Sequence, residues 1–139
     1  MLFRSQLDAK ENLQLAAAIQ QSSLPPEPFY RAMLYPLLIS LFPVSEMWPQ
    51  LVVLLGIALH LTAAIQVRQI TATVWDHQGA SRLAFALYAL NPASLFFALQ
   101  AMDMTLAIVL FLGAVQLLVT GGGLTVRRCL GAGLLAGLC

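Results

Sequence analysis

Asp8 and Glu11 stand three residues apart in Leu7-Asp8-Ala9-Lys10-Glu11. On a helix that spacing puts both carboxylates on one face. There they could act as a general base or hold a metal, or they could simply form a solvated helix face. Lys10 and Arg31 could meet a phosphate, or could pair with Asp8, Glu11 or Glu27. Asp103 sits between two apolar runs. A carboxylate at such a boundary either faces a bundle interior or wet cavity, or caps a helix starting near Thr105, where the helix dipole favours negative charge. His60 lies mid-run in Ala58-Leu59-His60-Leu61-Thr62. No second polar residue joins it on the core of that run, so it reads as a hydrogen-bonded helix contact.

Other motifs are less informative. Cys129 and Cys139 are ten positions apart, about 15 Å along a helix, too far for a disulfide. They have no metal spacing. Gly121-Gly122-Gly123 lacks the Gly-Lys-Ser/Thr that would make it a phosphate loop. Gly133 and Gly137 form a small-xxx-small pair, a helix-packing signal.

The elements that must position these residues follow from composition. The chain has 139 residues, 60% hydrophobic and only 9% charged, with mean hydropathy +0.82. A soluble domain carries roughly 25% charge, so a water-soluble monomer is nearly excluded. So is a disordered chain, which needs low hydrophobicity and high charge. The net charge of +1 gives no footprint for nucleic acid. The start of the chain lacks the basic region and apolar core of a signal peptide. An all-α, polytopic transmembrane bundle remains.

Leu7 to Gln21 is free of Gly and Pro and rich in good helix formers, which predicts a short surface helix. Pro25, Pro26 and Pro28 are expected to end it. Phe29 to Phe42 is apolar but shorter than the ~20 residues of a span and is interrupted by Arg31 and Pro36. It reads as interfacial. Met47 to Ile65 is the first span, with Trp48 as interfacial anchor and the polar tail Gln66 to Gln69 projecting towards a loop at Asp76-His77-Gln78-Gly79. Leu83 to Leu99 is the second span, kinked at Asn91-Pro92. Met104 to Val119 is the third. Arg127 and Arg128 lie in the next loop, and Cys129 to Cys139 begins a fourth apolar segment. The division is therefore 1–46, a first outer loop with juxtamembrane helices, and 47–139, the spans. The open fourth segment and the absence of an exporting span before Asp8 point to continuation on both sides.

Orientation follows from Lys and Arg in short loops. Arg68, Arg82, Arg127 and Arg128 mark the cytoplasmic side. Asp8, Glu11, Glu27, Glu46 and Asp103 then share the outer side, five of the six acids in the chain.

Glu27-Pro28-Phe29-Tyr30-Arg31-Ala32-Met33-Leu34-Tyr35-Pro36 resembles the E-P-F-[FY]-R-A-P-L-Y-P run of bacterial GT-C membrane glycosyltransferases, the family 39-like relatives of dolichyl-phosphate-mannose-protein mannosyltransferases. Upstream, Leu7-Asp8-Ala9 with Leu15-Ala16 and Ile19 is similar to that family's L-D-A-x-x-[YF]-x-x-L-A-x-x-I segment, at the matching spacing. Ala86 to Pro92 is similar to its third-span A-L-x-P pattern, and Asp103 falls where these proteins carry an acid in the second outer loop. Asn12 stands where the family has an aromatic, and Met33 where it has proline. The resemblance covers about residues 6–139.

The resemblance implies an N-terminal portion of a transferase in the bacterial plasma membrane. It would move a sugar from a polyprenyl-phosphate donor to an acceptor hydroxyl on a lipid, protein or glycan, with inversion. Asp8 would be the general base. Arg31, then Lys10, would offset the phosphate charge, with Tyr35 on the donor-lipid side. Glu11, Glu27 and Asp103 would line the acceptor side of the cavity. A divalent metal is left open, and the 139-residue piece alone is expected to be inactive. Two other classes compete: a transporter using the Asn91-Pro92 kink and His60 as a midplane path, and a non-catalytic membrane scaffold. Clustering of acids at one membrane face favours the transferase.

Overall fold

The computed structural model describes residues 2–23, 33–42, 48–100, 103–120 and 125–138, with side chains described from Ala9 onward. Glu27, Arg31, Glu46, Gly121-Gly122-Gly123 and Cys139 lie outside the described residues. All regular structure among those described is helical: α1 (Leu2–Gln20), α2 (Leu34–Ser40), α3 (Trp48–Val74), α4 (Gln78–Ala89), α5 (Pro92–Ala98), α6 (Met104–Val119) and α7 (Val126–Gly137).

α3 is the axis of the fold. Its 27 residues rise about 40 Å, more than the ~30 Å hydrocarbon core of a bilayer. It is the one described helix both long and apolar enough to cross a membrane, and α6 is apolar but shorter. α4, α5 and α6 pack on α3, and α7 packs on α6. The three threonines of α3 are satisfied within it. Thr62, Thr71 and Thr73 each donate the hydroxyl proton to the carbonyl four residues back, at 2.8–2.9 Å, so their hydroxyls need no outside partner. Gln69 instead accepts a hydrogen bond from the Gln116 amide of α6.

Four elements build the core at one end. Ala16 of α1, Tyr35 and Ile39 of α2, Val52 of α3 and Leu106 of α6 are buried together. α1 is thus a surface helix that turns one face into the core. Ala9, Asn12, Leu13 and Ala16 follow i, i+3, i+4, i+7, the register that gives a helix one inward stripe. Asn12 is 2% exposed and Ala16 fully buried. Its expected terminator differs. α1 ends before the prolines: Ser22 takes a left-handed φ of 52°, while Ser23 N–H donates to Ala18 O and Ser22 N–H to Ile19 O. That 6→1 and 5→2 pair is a Schellman stop. The Gln20 amide then donates to the carbonyls of Ser40 and Phe42, tying the ends of α1 and α2.

The segment from Leu83 to Leu99 is two helices rather than one kinked span. Pro92 has no N–H to bond Tyr88 O, and Asn91 caps α5 by accepting from Ala93 N–H at 2.9 Å and Ser94 N–H. Pro at the first position and Asn at the cap make a new helix start rather than a bend. α4 also begins earlier than expected. His77 is its N-cap, its Nδ1 accepting from Ala80 N–H, so Gln78 and Gly79 are helical. α7 likewise begins at Val126, taking Arg127 and Arg128 into its first turn. Trp48 packs its ring on the core, and its indole N–H is buried without a partner.

The outward faces are apolar in helical register: Leu54, Leu61 and Ile65 on α3, Leu83, Leu87 and Leu90 on α4, and Val126, Leu130 and Leu134 on α7 are all exposed. Gly133 and Gly137 are open, with nothing near enough to touch an added β-carbon. Their small-xxx-small signal finds no partner among the described residues.

Candidate functional site

A cavity of about 250 Å³ opens beside the core between α2 and α6. Leu34 and Tyr35 of α2 form one wall. Met104, Leu106, Ala107 and Leu110 of α6 form the other, and Leu138, just past α7, contributes a third side. Asp103, the residue before α6, brings a carboxylate to it. The volume lies just below the ~300–1,000 Å³ of most ligand pockets. It suits one sugar-sized group or a short length of lipid chain.

Tyr35 is 1% exposed. Burial, and secondarily the nearby Asp103 carboxylate, push its phenol up to about 12 from the usual 10.0. A phenolate would be desolvated and would face a like charge, so Tyr35 holds its proton and can donate a hydrogen bond. Asp103 occupies the N-cap position of α6, but its side chain makes no capping hydrogen bond. The capping alternative is therefore not realised by its carboxylate, which reaches the cavity instead. Behind it, Thr105 and Leu106 are buried.

α1 packs against α2. Ala9 and Leu13 of α1 lie on the cluster that includes Tyr35 and Leu106, two residues of the cavity wall. Asp8 is helical and precedes Ala9, one turn before the buried Asn12 in the register. Its side chain is outside the described atoms. Lys10 and Glu11 are exposed. Among the described residues, no three His, Cys, Asp or Glu side chains gather as a metal site. The structure thus brings Tyr35 and Asp103 into one cavity and carries α1 alongside it. Lys10 and Glu11 face outward, and Arg31 and Glu27 are not among the residues described.

Two features were not anticipated from sequence. Asn12 is buried as deeply as the core, which its i, i+4 relation to Asp8 and Ala16 could have signalled. Leu138 reaches the cavity across the α6–α7 contact, for which no local signal exists. His60 behaves as expected. It is 2% exposed, bonds Ala89 O through Nε2 at 3.1 Å and stacks on Tyr88 with ring centroids 5.3 Å apart. Cys129 is a free, exposed thiol.

No protein-family model, curated protein or solved structure matches the chain.

Proposed function

We propose that the chain is part of an integral membrane glycosyltransferase of the GT-C type, multi-pass in a bacterial plasma membrane. It moves a sugar from a polyprenyl-phosphate donor to an acceptor hydroxyl on the outer face, where residues 1–46 and Asp103 lie. The observation that carries this reading is the shared cavity of Tyr35 and Asp103, residues 68 positions apart in the sequence, flanked by the helix bearing Asp8, Lys10 and Glu11. The apolar outward stripes of α3, α4 and α7 supply the lipid-facing surface that several spans would need.

In this mechanism Asp8 takes the proton of the acceptor hydroxyl. The freed oxygen attacks the anomeric carbon, the bond to the lipid-phosphate oxygen breaks, and the centre inverts. Arg31 and Lys10 offset charge on the leaving phosphate. Tyr35, held neutral, donates a hydrogen bond on the donor side, and Glu11, Glu27 and Asp103 accept from sugar or acceptor hydroxyls. The transporter reading needs His60 open to a substrate path, whereas its Nε2 is engaged by the Ala89 carbonyl and its ring by Tyr88.

The test is sugar transfer from a polyprenyl-phosphate sugar by membranes carrying the full-length protein. Asp8→Asn should lower the rate by about 10²–10⁴, the usual contribution of a positioned base. Wild-type transfer in that variant would remove Asp8 from the role. Absence of transfer from every polyprenyl-phosphate sugar tried would remove the function.

A further inference from the structure

The break between α4 and α5 leaves carbonyls that a continuous helix would have satisfied. Without a Pro92 N–H, Tyr88 O takes Asn91 N–H and, at 3.4 Å, the Ser94 hydroxyl. The Ala93 N–H that would have served Ala89 O bonds Asn91 Oδ1 instead. Ala89 O is met by His60 Nε2 of α3. Since a carbonyl only accepts, the ring carries its proton on Nε2. Nδ1 is then a bare acceptor, and it is buried without a partner. An imidazole held in one tautomer, with one nitrogen forgoing its own hydrogen bond, is committed to the other contact.

The second helix end is held one turn away on the same face of α3. A β-carbon on Gly56 would fall on the Ala98 carbonyl oxygen, far inside van der Waals contact. The α5 C-terminus thus lies directly against the Gly56 backbone. Gly56 and His60 are i, i+4 neighbours, and both are buried. They seat the C-terminal carbonyls of α5 and α4 in turn. From Ala98 the chain has only four residues before Asp103.

We propose that His60 is a latch for the broken helix α4–α5, and that through α5 it positions Asp103 at the cavity. This does not rest on the glycosyltransferase reading. His60 is a positioning residue, acting through the Ala89 carbonyl. Removing the latch frees α5 to lift from α3 and loosens the start of α6.

The experiment uses the full chain in lipid nanodiscs and follows amide hydrogen exchange at residues 90–99. His60→Leu should speed exchange there by about three- to tenfold, the equilibrium weight of one net hydrogen bond, leaving α1 unchanged. His60→Gln keeps an N–H donor and should restore protection. On an Asp103→Cys background, thiol labelling should quicken by a similar factor in His60→Leu and slow again in His60→Gln. Unchanged exchange in His60→Leu overturns the proposal, as does an equal rise in every helix or a loss that glutamine fails to restore. Should His60→Leu not fold, nitrogen chemical shifts of the wild-type imidazole decide. A protonated Nε2 with bare Nδ1 is expected, and the opposite tautomer overturns the latch.

Discussion

Polar groups at two places in this apolar molecule are treated in opposite ways. On the α3 face that holds His60 and Gly56, the Ala89 carbonyl released by the Asn91-Pro92 break is taken up by an imidazole, and the Ala98 carbonyl at the end of α5 lies directly against the Gly56 backbone. At the α2–α6 cavity, the Asp103 carboxylate stands close enough to the Tyr35 phenol to help hold its proton on, beside open volume. A buried polar group without a partner costs about 1–3 kcal/mol. At the helix break the imidazole removes that cost for the Ala89 carbonyl while leaving its own Nδ1 without a partner. At the cavity, the carboxylate and the phenol stand beside open volume. The contrast teaches that polarity inside a helical bundle marks function only when it faces space.

The comparison breaks or sharpens at specific positions. The largest stability effect belongs to the closed face. Gly56→Ala drives a methyl into the Ala98 carbonyl, and because the obstacle is backbone, α3 and α5 must separate. Thermal unfolding in detergent should show a loss of about 1–3 kcal/mol, the usual cost of overpacking. Full stability in that variant would mean the two helices are not in contact at this point.

An intermediate effect belongs to the open site and is read by pH. The folded state holds Tyr35 protonated up to about 12, against 10.0 for an ordinary tyrosine. Between those values the unfolded chain binds fewer protons, so stability is intact below about pH 10 and falls as pH rises towards 12. Phenolate absorbance, compared with Tyr35→Phe to isolate this ring, should place its ionisation in that upper range. Asp103→Asn should lower the midpoint only partly, because burial is the larger cause. A midpoint at the ordinary value would mean the phenol faces water.

The smallest effect is at the exposed end of α7. Gly133 has nothing within reach of an added β-carbon, so Gly133→Ala should cost nothing in packing. It should stabilise the isolated chain by about 0.5–1 kcal/mol through helix propensity alone. A loss at Gly133 comparable with that at Gly56 would reveal a partner packed on α7.

Much of the fold was legible because apolar runs and their punctuation are local properties. Met104 to Val119 was bounded correctly as a helix, since Asp103 and the glycine run bracket a stretch that is apolar but for Thr105 and Gln116. α3 was found together with its extension: the polar tail from Gln66 to Gln69 reads as projecting past the span towards Asp76, and the helix runs to Val74. That Gln69 meets Gln116 of α6 was not legible. Asn91-Pro92 was recognised as a disturbance. Whether it bends or breaks the helix depended on Asn91 capping a new start, which the Oδ1 geometry decided. The inward stripe of α1 was not legible, because polar residues interrupt its Leu and Ala. Of its four inward positions only Leu13 is large and apolar; Ala9 and Ala16 are small and Asn12 is polar, so the stripe hides in that pattern.

The sequence by itself pointed to helices, which make up all the regular structure among the described residues, and to several spans, of which one described helix has the length and apolarity to cross a membrane. It also singled out Tyr35 and Asp103 as residues of interest, Asp103 from the cost of a carboxylate beside apolar runs and Tyr35 through the resemblance of its segment. These follow from composition, periodicity and the expense of desolvating charge, which need only neighbouring residues. Tertiary structure alone decided that Tyr35 and Asp103 share one cavity. It also decided that Asn12 is buried and that His60 closes a helix break 29 positions away. Each of these is a contact between distant segments. Such contacts are set by which helix faces fit together and which orphaned carbonyls they must satisfy, and no local pattern encodes that.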